Sequence, residues 1–307
     1  FFSLYTITMT KNLFHYLTLC VFALSLVACG SDDDGSNPTP TVTNANRNIV
    51  TANVPKEITR LEFPHLRGGD NIVIVHKTDN NTKINYSVEW DYGKKSPRWS
   101  CFPMTNGSSK GGVGRNGPFE EDPDLPSSMR FSDTNYMFTG SGYDRGHMCA
   151  SYDRQYSKEA NHQTFYYTNM QPQRNAFNAG SNYDGLWVQM ENFVQNRAKS
   201  LKDGDTIYVC KGGTIDSESM ILERIKGQLI VPKYFFMALL EKNANGYKAL
   251  AFWTEHLNHT VPNAHLADYA ITIDALEEKT GIDFFCNLPD DTEDKVEKSL
   301  SLISWAL

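Results

Sequence analysis

Tyr143-Asp144-Arg145-Gly146-His147-Met148 is the stretch on which the reading of this chain turns. It sets a histidine two residues after an arginine, with a glycine turn expected between them. A second stretch, Thr168-Asn169-Met170-Gln171-Pro172-Gln173, follows and leads into an Asn-rich segment. Beyond it Leu186, Met190, Phe193, Val194 and Arg197 recur at helical spacing and predict a helix through about Lys199. With a reference pKa of about 6.5, a histidine is partly neutral near pH 7 and able to take a proton there.

A histidine base, an amide ligand for a hard cation and arginines for phosphate are what metal-assisted phosphodiester cleavage requires. Taken with Phe177-Asn178, and with Trp187 and Glu191 one helical turn later, the two stretches resemble the sugar-nonspecific DNA/RNA endonucleases of the ββα-metal (His-Me finger) class. Arg98-Trp99 upstream extends the likeness, as do Ile273-Asp274-Ala275-Leu276-Glu277-Glu278-Lys279-Thr280-Gly281 and Leu288-Pro289-Asp290-Asp291 downstream. The resemblance implies an α+β fold with a central antiparallel sheet flanked by helices. It also implies hydrolysis of DNA and RNA through contacts to the phosphate backbone, without reading base sequence.

Carried over residue by residue, His147 is the general base and Asn178 the metal ligand. The family's ion is typically Mg²⁺, for which Mn²⁺ can substitute, held mostly through water plus one Asn. It neutralises the scissile phosphate and stabilises the leaving 3′-oxygen. Glu191 holds water beside the metal. Arg98, Arg145 and Arg174 bind phosphate, and Arg98 and Arg145 also offset charge in the transition state. The plainer alternatives are a histidine satisfied by a backbone carbonyl, a solvated helical glutamate and a structural ion pair for Arg145.

The chain departs from the family pattern in two places. Asn178 stands nine after Asn169, as in the family, yet counting back four from Trp187 reaches Tyr183. Gly180-Ser181-Asn182-Tyr183-Asp184-Gly185 therefore reads as an insertion. On one continuous helix it would rotate Asn178 away from Glu191, which makes Asn182 and Asp184 alternative ligands. The family's arginine one turn beyond Glu191 falls on Gln195, with Arg197 a weak substitute.

The formal net charge is −7. That argues against polyanion binding over the whole surface but leaves room for a local basic cleft. It keeps two rivals in view: a catalytically impaired, nucleic-acid-binding surface lipoprotein, and a phosphodiesterase acting on a small substrate. His256, His259 and His265 invite a zinc reading that no acid or cysteine completes.

Residues 1–29 read as a signal peptide with a lipobox cysteine, the translation start being expected at Met9. Leu26-Val27-Ala28-Cys29 resembles the bacterial lipobox, and Gly30-Ser31-Asp32-Asp33-Asp34 resembles the acidic export tag of Bacteroidetes lipoproteins. The expectation is a secreted protein anchored to the outer membrane by a lipid on Cys29 and exposed at the cell surface. Residues 30–55 read as a disordered linker and 56–307 as the endonuclease domain. Cys101, Cys149, Cys210 and Cys286 predict two disulfides, or one plus a buried pair.

Strands are expected at 71–76, 84–90, 163–168, 206–210, 234–240, 249–253 and 269–273, with 234–240 readable also as a short helix. A long Gly- and Pro-rich loop is expected at 93–126, with helices from Asp274 to Gly281 and from Val296 to Trp305.

Overall fold

The strands β1 (Ile72–Thr78) and β2 (Lys83–Asp91) form an antiparallel hairpin. Its turn is made by Asp79, Asn80 and Asn81, all at positive φ, a region that Asn and Asp tolerate. The computed structural model describes residues 43–108 and 112–307, so Cys29 and the leader lie outside the described residues.

The next strand, β3 (Ser96–Met104), pairs with β2 and takes the place of the first part of the expected loop. Pro97 and Pro103 hid it, since proline cannot donate to a ladder. Here β3 pairs with β2 over residues 96–101 and with β6 (Thr206–Gly213) over residues 100–104. Each proline thus lies where only one neighbour is paired. Between β3 and β6 the chain builds α1 (Thr134–Phe138), β4 (Asp144–His147), α2 (Lys158–Gln163), β5 (Met170–Gln173), α3 (Asn175–Asn178) and α4 (Leu186–Lys199).

The expected strand at 163–168 is not formed. Ser157 caps α2 by accepting from the Ala160 amide and the helix runs to Gln163; apart from a single bridge between Tyr166 and Glu120, pairing begins at Met170. After β6 come the small hairpin β7 (Ile221–Ile225) and β8 (Leu229–Pro232), then β9 (Tyr234–Asn243), β10 (Gly246–Glu255) and a two-residue β11 (Ala270–Ile271). The main sheet has seven antiparallel strands in the order β1-β2-β3-β6-β9-β10-β11.

Both faces of this sheet are covered, and β9 shows why. Phe235, Met237 and Leu239 point into one apolar cluster while Phe236, Ala238 and Leu240 point into another, as a period of two requires. The first cluster takes Leu186, Trp187, Met190, Val194 and Ala198 of α4, spaced to form one stripe. The second takes Ile273 and Leu276 of α5 (Ile273–Thr280) and Val296 of α6 (Asp290–Glu297). Gly281, at φ 64°, ends α5 where the sequence placed its stop. The last expected helix divides into α6 and a short α7 (Leu302–Trp305), whose Trp305 returns to the first cluster.

Two further expectations are corrected. Part of the segment assigned to the linker is tied to the domain: Asn44 Nδ2 donates to the Leu288 carbonyl (2.6 Å), and the buried Asn48 Nδ2 donates to those of Ile58 and Pro64 (3.1 and 2.9 Å). All four cysteines are free and buried, so no disulfide forms among them. Cys149 packs in the first cluster and Cys101 and Cys210 in the second, with the sheet between.

Candidate active site

The strands β4 and β5 form a separate two-stranded ribbon in which His147 lies opposite Met170 and Asp144 opposite Gln173. The expected glycine turn is extended strand. Two buried amides fix the ribbon. Asn169 accepts from the Cys149 amide (2.8 Å) and donates to the carbonyls of Cys149 and Thr164 (2.9 Å each). Gln171 donates to the carbonyls of Pro97 (3.0 Å) and Gly213 (3.2 Å) and accepts from the Gly213 amide (2.6 Å), holding β5 against the main sheet. Gly146 is demanded by closeness: a Cβ there would meet the buried Gln173 side chain at 2.2 Å.

Residues two apart on a strand share a face, so Arg145 and His147 point the same way. Phe119 touches both, with its ring centre 5.1 Å from the Arg145 guanidinium and 5.8 Å from the imidazole. Phe165 meets the imidazole edge-on at 5.1 Å and carries Arg115 over its ring at 4.6 Å. The His147 Nε2 is covered and has no hydrogen-bond partner. Burial above all, and then the Arg115 cation, push the imidazole down to about 3, so it is neutral at ordinary pH. Trp187 Nε1 donates to the His147 carbonyl (3.3 Å), which joins the ribbon to α4. Arg145 donates to the neutral amide of Asn135 (2.7 Å).

Asn178 ends α3. Its Nδ2 donates to Asp144 Oδ2 at 3.0 Å, beside Asn175 Nδ2 on the same oxygen at 3.0 Å. With the nitrogen so held, Oδ1 is the open end of the amide. The inserted residues loop outward from this point. The Gly185 amide donates back to the Ala179 carbonyl (3.1 Å), and a Cβ on Gly185 would lie 2.5 Å from the Asn178 carbonyl oxygen. Asn182 is exposed and Tyr183 is 76% exposed, so the insertion closes on itself and leaves α3 and α4 in contact.

On α4, Glu191 meets a residue that the sequence reading missed. Lys211 of β6 is fully buried, its Nζ 3.1 Å from Glu191 Oε1 and 3.9 Å from Asp153 Oδ2. Asp153 also accepts from Gln195 Nε2 (2.9 Å). Burial raises Glu191 more than Lys211 lowers it, which leaves the carboxyl pushed up to about 7. The available signal was a lysine inside the otherwise apolar strand Ile207-Tyr208-Val209-Cys210. Arg197 is held by Glu241 at 2.6 and 2.8 Å and does not fill the missing arginine's place.

Arg174 lies just past β5, its amide donating to His256 Nε2 (2.7 Å) and its Nη1 to the His256 carbonyl (2.9 Å). His256 is thereby satisfied, while His259 and His265 are exposed, so the three do not converge on a metal. Arg98 shares no partner with His147. Its guanidinium is buried between Glu89 (3.2 Å) and Asp216 (2.9 Å), in a cavity lined by Lys279, Thr280 and Gly281. The opposite charges hold it above the usual arginine range against the effect of burial.

The donors beside the ribbon are an open amide oxygen and the Asp144 carboxylate, with no thiolate. That set fits a hard, largely hydrated divalent cation. A second group, His76 with Asp122 and Asp124, does not look like such a site. The imidazole lies between the carboxylates, Nε2 3.0 Å from one and Nδ1 3.6 Å from the other, as in an ion pair.

The family described as DNA/RNA non-specific endonuclease matches residues 68–291. Similar proteins include the mitochondrial nuclease EXOG of Xenopus laevis, 28% identical over 229 residues, or 70% of this chain and 60% of that protein. A nuclease of Nostoc is 27% identical over 71% of this chain and 77% of its own length. Endonuclease G of Caenorhabditis elegans is 26% identical over 69% of each. Among solved structures, EndoG in its complex with EndoGI superposes with a TM-score of 0.62 at 20% identity, covering 78% of this chain and 95% of that one. That likeness establishes the shared fold.

Proposed function

Because the chain belongs to the DNA/RNA non-specific endonuclease family, we propose that it is a metal-dependent endonuclease hydrolysing phosphodiester bonds of DNA and RNA, with His147 as general base. The observation that carries this reading is the neutral His147 ring, whose covered Nε2 has no partner while Arg145 and Arg115 flank it. Nε2 takes the proton of the attacking water. A phosphate anion held by the two arginines raises the basicity of the ring when substrate is in place, since a nearby negative charge favours the protonated form.

Asn178, with Asp144 behind it, would hold the divalent cation, Mg²⁺ or Mn²⁺ in its stead. When bound, that cation supplies charge neutralisation at the phosphate and at the departing 3′-oxygen. Trp187 fixes the His147 backbone, Lys211 fixes Glu191, and Glu191 orients water at the site. Arg174 extends the phosphate track beyond β5. Arg98 is proposed as a further phosphate ligand away from His147; its guanidinium lies between Glu89 and Asp216, and Asp216 is shared with Arg67. The leader and Leu26-Val27-Ala28-Cys29 support a secreted form held at the outer membrane, and exposed at the cell surface, by a lipid on Cys29.

The test is cleavage of supercoiled plasmid and of RNA by the purified protein and by His147→Ala, in Mg²⁺ and in EDTA. Cleavage of both substrates in Mg²⁺ only, reduced at least about tenfold in the variant, is expected. Salt-sensitive DNA binding without cleavage by folded wild type would replace this reading with a binding role.

A further inference from the structure

Helices α5 and α6 pack on the sheet face opposite the β4–β5 ribbon and bring three acids together. Carboxylate oxygens of Asp274, Glu277 and Glu297 all lie within 4.8 Å of one another. Asp274 and Glu277 stand one turn apart on α5 and share a side of it. Glu297 reaches them from α6. It is 7% exposed, and its Oε1 has no hydrogen-bond partner.

The neighbouring groups are engaged elsewhere. Glu277 Oε1 accepts from the Phe284 amide (2.8 Å), leaving its other oxygen. Asn46 Nδ2 donates to Asp283 (3.1 Å) and Glu293 (2.9 Å), and Lys298 pairs with Asp294 (3.1 Å). Among the described residues none of the three acids has an ion-pair partner within 4.0 Å; Lys298 pairs with Asp294 and acts on Asp274 and Glu297 only from farther off. A buried carboxylate with an open lone pair, facing two more carboxylates, is costly unless a proton is taken up or a positive charge sits among them.

We propose that Asp274, Glu277 and Glu297 form a Ca²⁺ site that clamps α5 to α6, separate from the site at Asn178. Several flexible carboxylates in irregular array suit Ca²⁺, whereas Mg²⁺ demands near-octahedral order and keeps its water. The cation's role is structural, because α5 and α6 lie across the sheet from His147.

The test uses Asn178→Ala in the full chain, which removes the other metal ligand. Its thermal unfolding is followed at pH 7.5 in EDTA and with added Ca²⁺. A saturable rise in Tm of ~5–10 °C at about a hundredfold excess over Kd is expected. The rise should disappear when Asp274→Asn or Glu297→Gln is added. Asp274 is half-buried, so its variant keeps the test decisive if Glu297→Gln fails to fold. No Ca²⁺-dependent rise, or an undiminished rise in the Asp274→Asn protein, overturns the proposal. Neither outcome depends on whether the protein cleaves nucleic acid.

Discussion

Lys211 is the residue whose burial has the sharpest energetic consequence. Its ammonium is fully enclosed with Glu191 at 3.1 Å and Asp153 at 3.9 Å. Removing one partner of a buried charge set leaves the other charges uncompensated, at a cost of about 3–5 kcal/mol. Lys211→Met is therefore expected to lose that much stability in urea unfolding. Adding Glu191→Gln should restore part of it, because the stranded charge is gone. A loss below about 1 kcal/mol for the single variant would show that the two carboxylates do not need the cation. Arg98 shows the opposite limit of residue-level reading. An arginine before a tryptophan is a fair phosphate ligand on motif grounds, and its pairing with Asp216, far along the chain, is one that no local pattern reveals.

The turn from α3 to α4 is where one element decides the geometry of another. A Cβ at Gly185 would press on backbone atoms of Phe177 and Asn178 at 2.5–2.8 Å, and backbone cannot step aside as a flexible side chain can. Gly185→Ala should thus displace Asn178 and reduce cleavage by about 10²-fold, the usual effect of a misplacement near 1 Å. Asn178→Ala should lose metal-dependent cleavage, and Asn182→Ala, in the exposed loop, should retain it. Activity that survives in Asn178→Ala but is lost in Asn182→Ala would reassign the ligand. Helix α4 was legible from its apolar periodicity, the end of α5 from Gly281, and the β1–β2 hairpin from its apolar runs and its Asn turn. Strand β3 was hidden by two prolines whose harmlessness depends on where its neighbours end. The run from Gln163 to Thr168 read as a strand from its β-branched and aromatic content, yet the Ser157 cap set a helix ahead of it. The ribbon was legible as a motif but not as a strand, for a four-residue segment shows no period.

At the scale of the whole molecule, an acidic balance does not preclude the proposed polyanionic substrate. Arg115 and Arg145 lie over the Phe165 and Phe119 rings beside His147, while the carboxylates of Asp274, Glu277 and Glu297 gather between α5 and α6. A net charge sums over the whole surface, whereas a bound strand meets only part of it. The proposed lipid anchor is tested on intact cells: labelled palmitate should enter the wild type and not Cys29→Ser, and an unlabelled wild type would defeat the proposal. A last consequence comes from the strand order. The central neighbours β3 and β6 are joined by residues 105–205, which contain the entire ribbon and α4. Closing so long an excursion is slow compared with forming a hairpin. Glu191 meets Lys211 only once β6 has docked, so a polypeptide truncated before β6 would carry the proposed base, His147, without the ion pair that holds Glu191.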